Sequence, residues 1–295
     1  DLHLYPDGDS KKLKALIAKH ESLDVSNIIV GNGSNEVLEL AARAFLNKDT
    51  SALMSKHAFA VYKIVTQSNG SKIIEVPTVD WRHALNDFSN YIEDSTRVCF
   101  VANPNNPTGT YNSHDEFKSM MDSIPSSILV ILDLAYFEYV TEQDYVRVNE
   151  LLEKYSNLLV TKTFSKIQGL ASLRIGYGLA NKKLIEVLNK IRQPFNSNAI
   201  AQDAACLAIL DHDHITKSIE LLHKTTGEGM CVVDLDTVMT GCVLHDFGDL
   251  VRTAACSSLE DEPEVDKIFF LPETFEAIVE GYLKSAGSIL EPSEF

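Results

Sequence analysis

The sequence predicts an α/β protein built on a mostly parallel sheet with helices on both faces, and three observations carry that expectation. Short stretches that are apolar throughout, such as NIIV (27–30), VCFVA (98–102) and LVILD (129–133), recur over the first three-quarters of the 295 residues. Segments of helical periodicity separate them. Strands with no polar side are buried on both faces, which requires helices above and below a parallel sheet. The third observation is that the residues of unusual chemistry follow NIIV, VCFVA, LVILD and LLVTK directly. In such sheets ligands sit at the carboxyl ends of strands.

Taken in order, NIIVGNG (27–33) is a short strand ending in glycines, and SNEVLELAARAFL carries apolar residues at helical spacing. ALM (52–54), the helical FAVYKIVTQ (59–67), KIIEVP (72–77), HALNDFSNYI (83–92) and RVCFVANP (97–104) continue the alternation. HDEFKSMMDSI (114–124) precedes SILVILD (127–133), then a helical NELLEKY, LLVTKTF (158–164) and LRIGYGLA (173–180). Three helical stretches close the series: KKLIEVLNKIR, AIAQDAACLAIL and HITKSIELLHK.

Composition narrows the function classes. The net charge of −16 argues against a nucleic-acid surface, though a local cluster of donors can still hold a small anion. No apolar run reaches the length of a membrane span, and no signal segment opens the chain; DLHLYPDGDS reads like the interior of a protein. Five cysteines without CxxC or finger spacing indicate reduced, structural thiols and a cytoplasmic setting. His212 and His214 in DHDHIT invite a metal reading, but side by side at a helix start they fit a solvated cap better, so no metal is assigned.

Four stretches belong together chemically. GNGSNE (31–36) is a glycine turn feeding a helix N-terminus, where free amides and the helix dipole suit a phosphate. ANPNNPTGT (102–110) packs two prolines and three asparagines after a strand, more than an ordinary Asx turn needs. DLAYFEY (133–139) ends a strand with Asp133, suited to a ring nitrogen, and Tyr136 could donate to a phenolate oxygen. TFSKIQGLASLR supplies Thr163, Ser165, Lys166 and Arg174. An arginine near Lys166 disfavours its ammonium form, and a free amine is what a Schiff-base lysine must be; alone, the same lysine could be a solvated loop residue. Together these are the groups a protein supplies to pyridoxal phosphate.

Residues 5–224 closely resemble the fold-type-I pyridoxal-phosphate aminotransferases, specifically the histidinol-phosphate aminotransferases. YPDGD, IIVGNGSNEV, FVANPNNPTGT, LDLAYFEY and TFSKIQGLASLRIGY carry the resemblance, in order and at suitable spacing. It implies a three-layer large domain over residues 1–224, a homodimer, and ping-pong transfer from a small-molecule amino donor to a 2-oxo acid. It further implies that Lys166 forms the bond to the cofactor and shuttles the substrate proton, while Asp133 keeps the pyridine nitrogen protonated. Asn106 and Tyr136 would bind the phenolate oxygen. Gly33, Ser34, Asn35, Thr163, Ser165 and Arg174 would bind the phosphate, and Phe59 would stack on the ring. Tyr5 would reach the neighbouring subunit's phosphate. Leu134 stands where the family usually has Glu, and Asn35 where it usually has Asp.

Composition changes near TTGEG (225–229). Residues 225–295 hold 15 acidic and 3 basic residues, against 27 and 23 in the preceding 224, so this quarter reads as a separate acidic segment. Instead of the family's small domain, VVDLDTVMTGCVLHDFGDLVRT resembles the last part of sugar and aminoglycoside kinases, especially N-acetylhexosamine kinases. In those kinases the Asp corresponding to Asp234 binds magnesium. Asp234 and Asp236 are equally compatible with acidic surface. The catalytic loop and nucleotide lobe such a kinase requires have no counterpart upstream. The expectation is therefore a chimera: an aminotransferase large domain joined to a kinase-like fragment over about residues 230–288. The alternatives are a non-catalytic scaffold that at best binds pyridoxal phosphate and, more remotely, a sugar kinase.

Overall fold

The computed structural model describes residues 3–226 and, beyond them, only Pro272 and Glu276. The kinase-like reading, with Asp234, Asp236 and DFGDLVRT, lies outside the described residues. Seven strands form one sheet: β1 (Ile28–Gly31), β2 (Ser51–Ser55), β3 (Lys72–Val76), β6 (Thr96–Ala102), β7 (Leu129–Asp133), β8 (Leu158–Thr163) and β9 (Gly176–Ala180). A two-strand hairpin of β4 (Thr78–Val79) and β5 (Arg82–His83) stands apart from it. The order is β1-β9-β8-β7-β6-β2-β3. All pairs are parallel except the two made by β9, which lies antiparallel between β8 and β1.

The apolar runs are buried on both faces, and strand periodicity sorts them into two cores. Val130, Leu132, Leu158 and Val160 face one way, toward α1 (Lys11–Glu21), α4 (His114–Ser123), α5 (Val148–Lys154) and α7 (Ala199–Ala208). Phe100, Leu129, Ile131 and Leu159 face the other, toward α2 (Gly33–Phe45), α3 (Ala60–Ser68) and α6 (Lys182–Asn189). HALNDFSNYI contributes a 3-10 turn, Leu85–Tyr91, that seats Phe88 fully in the first core. A further helix, α8 (His212–Thr226), is capped by Asp211, whose carboxylate accepts the His214 amide at 3.0 Å. Beyond serving that cap, the His214 ring meets the Ile167 carbonyl at 2.8 Å, one residue from Lys166. Among the described residues there is no cluster able to hold a metal ion, and no helix is long and apolar enough to cross a membrane.

Period two also decides which lysine can serve the site. Lys162 and its neighbours Thr161 and Thr163 project to opposite sides of β8. The Lys162 ammonium, 4% exposed, donates to both Glu21 oxygens at 2.9 and 3.1 Å and lies 3.9 Å from the Phe137 ring centre. Tyr177 donates to the same carboxylate at 2.7 Å. This pair fastens α1 to the sheet. Lys162→Met would leave Glu21 buried with a hydroxyl donor but no counter-charge, at a cost of about 3 kcal/mol. Urea denaturation is expected to show that loss with an unchanged m-value; a variant within error of wild type would contradict it.

Candidate active site

The carboxyl ends of β1, β6, β7 and β8 open on one cavity on the α2/α3 side of the sheet. Asp133, the last residue of β7, forms its floor and is 4% exposed. Its Oδ2 accepts from the Tyr62 hydroxyl at 2.9 Å, its Oδ1 from the Thr161 hydroxyl at 3.0 Å. Burial pushes the Asp133 carboxyl above its ordinary pKa. Those two bonds, the Ala135 amide and the Lys166 charge oppose that rise. The Tyr62 ring stacks on Phe100 at 4.8 Å, and Phe59 meets its edge at 5.7 Å.

The NPNNP loop uses most of its amides on itself. Asn103 exchanges hydrogen bonds with the Asn112 backbone, and Asn105 donates to the His57 carbonyl and the Thr108 hydroxyl. Only Asn106 faces the cavity, its side chain donating to the Tyr136 hydroxyl at 3.4 Å. Behind the loop, buried His83 donates from Nε2 to the Ala102 carbonyl and accepts from Ser55 at Nδ1. Burial lowers this imidazole from 6.5 to about 4. The unfolded chain therefore binds the proton first. Stability is full above about pH 6.5 and falls as pH drops toward 4, by about 3 kcal/mol in all. His83→Gln is expected to flatten that part of a Tm-against-pH curve, and an unchanged slope would refute the assignment.

The opposite end of the cavity is built for an anion. α2 begins at Gly33 with φ +72°, and a Cβ there would lie 2.6 Å from the Arg174 guanidinium, so glycine is needed both for the turn and for the approach. A helix N-terminus presents amides without intrahelical acceptors, here those of Gly33, Ser34 and Asn35. The preceding amide, Asn32, is already taken by Glu36 Oε2 at 2.6 Å, and Asn196 donates to that oxygen at 2.6 Å. Arg174 donates to Ser165 Oγ at 3.2 Å, and the Ser165 amide to Thr163 Oγ1 at 3.1 Å. Gly176, opening β9, lets this turn close: a Cβ there would be 2.4 Å from the Ser34 nitrogen.

Lys166 lines the same cavity, its amine 5.1 Å from the centre of the Tyr136 ring. The cavity thus holds an amine, a buried carboxylate floor, a paired phenol and amide, and an anion cradle with a guanidinium. A family model, "Aminotransferase class I and II", matches residues 1–226 of the chain. The chain belongs to the class I and II aminotransferases. It is 46% identical over 221 residues to histidinol-phosphate aminotransferase 2 of Pseudomonas fluorescens, covering 75% of this chain and 60% of that protein. With the histidinol-phosphate aminotransferase of Caldicellulosiruptor saccharolyticus it shares 44% over 225 residues, or 76% and 63%. The chain thus matches about three-fifths of the length of these relatives. The crystal structure of histidinol-phosphate aminotransferase from Sinorhizobium meliloti, in complex with pyridoxal-5′-phosphate, superposes with a TM-score of 0.74 at 26% identity, covering 77% of this chain and 62% of that one.

Of the residues singled out from the sequence, Ser34, Asn35, Phe59, Asn106, Asp133, Tyr136, Thr163, Ser165, Lys166 and Arg174 line this aminotransferase cavity, with Gly33 against Arg174. Tyr5 does not. It is 83% exposed and stacks on Phe195 at 4.7 Å. Sequence reasoning missed Tyr62, Thr161 and Glu36. Tyr62 lies one helical turn from Phe59 and Thr161 shares a strand face with Thr163, signals the sequence carried, whereas Glu36 stands four residues after Asn32, one beyond the capping-box spacing.

Proposed function

We propose that the chain binds pyridoxal 5′-phosphate and transfers an amino group between an amino donor and a 2-oxo acid, with histidinol phosphate and 2-oxoglutarate as the reacting pair. The observation that carries the reading is that Lys166, Asp133 and Arg174 line one cavity. The fit is chemical as well as spatial. Three amides, a hydroxyl and a guanidinium suit a phosphate dianion, and a carboxylate held ionised by hydroxyl donors suits a protonated ring nitrogen. Bound there, the cofactor supplies an electron sink for charge developing at the substrate's Cα.

The chain's own residues do the rest. Gly33, Ser34, Asn35, Thr163, Ser165 and Arg174 hold the phosphate, Phe59 covers the ring, and Asn106 and Tyr136 donate to its phenolate oxygen. Asp133 pairs with the ring nitrogen. Lys166 Nζ would be the amine that holds the cofactor's carbonyl carbon and would move the proton taken from the substrate's Cα. The protein acts as a cytoplasmic homodimer in this reading, with exposed Tyr5 reaching the partner subunit's cofactor phosphate. For residues about 230–288 we retain the resemblance to a kinase fragment; only the remote sugar-kinase alternative predicts magnesium-dependent ATP consumption lost in Asp234→Ala, and the catalytic loop and nucleotide lobe it requires have no counterpart upstream.

The deciding experiment is amino transfer from glutamate to imidazole acetol phosphate, followed as histidinol phosphate formed. Turnover dependent on added pyridoxal phosphate supports the proposal. Cofactor binding without turnover with any 2-oxo acid would leave the non-catalytic scaffold in its place.

A further inference from the structure

Asp133 is buried at the cavity floor, and each of its oxygens has a hydroxyl donor that the family-level reading of the site does not use. Tyr62 comes from α3 and is completely buried, its ring clamped between Phe100 and the edge of Phe59. Burial and the neighbouring carboxylate hold its phenol well above the ordinary pKa, so it remains a donor at every working pH. Thr161 pairs directly with Asp133 across the parallel β7–β8 ladder, which fixes its hydroxyl against Oδ1. The charged and titratable groups acting on Asp133 are Tyr62 and Lys166, and Tyr136 acts in turn on Tyr62.

We infer that Tyr62 and Thr161 are positioning residues that keep Asp133 a carboxylate, so that the proton it shares with the ring nitrogen of the bound cofactor stays on nitrogen. The inference rests on the proposed cofactor. A proton between a carboxylate and a pyridine nitrogen goes to the more basic partner. Enclosure alone makes a carboxylate more basic and would draw the proton onto Asp133, weakening the ring as an electron sink. Hydrogen bonds to the ionised form work in the opposite direction. Two hydroxyls on two oxygens, supplied from a helix and from the adjacent strand, are the means by which a buried carboxylate remains one. Tyr62 also fixes the rotation of the carboxylate, because its own ring cannot shift between Phe59 and Phe100.

The test uses Tyr62→Phe, Thr161→Val and the double variant, all close in shape to the residues they replace. Each is loaded with pyridoxal phosphate carrying ¹⁵N in the ring, and the ring resonance is recorded. Borohydride trapping on Lys166 runs in parallel. The wild-type resonance is expected at the pyridinium position, moving toward unprotonated pyridine in each single variant and further in the double. Loss of one hydrogen bond to a charged group is expected to lower kcat about tenfold, with KM for the amino donor changed less than about twofold. Trapping in wild type with a resonance unmoved in all three variants would overturn this inference and leave the cofactor assignment standing. Absence of trapping in wild type would overturn both. If Tyr62→Phe moves the resonance and Thr161→Val does not, the paired role is wrong.

Discussion

Lys166→Ala is expected to abolish borohydride-stable labelling of the protein by pyridoxal phosphate and to lower amino transfer by about 10⁴-fold, the scale of losing a positioned proton-transfer group. Binding of the cofactor itself should survive, because Gly33, Ser165 and Arg174 remain to hold the phosphate. Reduction, digestion and mass spectrometry read the first outcome, and equilibrium dialysis the second. The nearby Lys162 offers no substitute. Its amine points to the opposite side of β8 and is held by Glu21 and the face of Phe137. A pyridoxyl group found on Lys162, or transfer near the wild-type rate, would contradict the assignment.

Asp133→Asn separates activity from stability in the opposite sense to most buried substitutions. Removing the charge opposite the ring nitrogen is expected to lower kcat by about 10³-fold, on the scale of a lost preorganised electrostatic contact. The fold should not suffer. Burial raises the Asp133 pKa above its unfolded value, so ionising it in the folded state costs stability at neutral pH, and that cost disappears as pH falls through the carboxylate range. An amide avoids that cost, and the Tyr62 and Thr161 hydroxyls can turn to accept as readily as to donate. Calorimetry at pH 7 is expected to place the Tm of Asp133→Asn at or above that of wild type. A lower Tm, or an undiminished kcat, would refute this account.

Much of the fold was legible because the strands are apolar on both sides. LVILD and VCFVA leave no alternation to misread, and glycines and polar loops mark where they end. β9 was less legible in one respect: GYGLA reads like its neighbours, and nothing in its composition reveals that it runs antiparallel. That direction goes with the connection out of β8, whose residues 164–175 hold a 3-10 turn and no crossover α-helix. At the site, the residues that touch the cavity were found through motifs, whereas those acting through them were not. Tyr62 and Thr161 look like ordinary core and strand residues until α3 and β8 bring them against Asp133. The asparagine-rich loop was over-read in the other sense, since two of its three side chains build the loop itself.

The reversal between β8 and β9 places Lys166 and Arg174 on one loop whose stem is tied by the Thr163–Gly176 pair and by the Phe164 amide on the Ile175 carbonyl at 3.1 Å. Amine and guanidinium therefore keep a spacing set by a single short stretch of chain, independent of how helices or neighbouring subunits move. The loop gauges its occupant's length. A molecule whose anion and carbonyl stand further apart is expected to satisfy one end at the expense of the other. Such a molecule would be held at Arg174 yet not captured by Lys166.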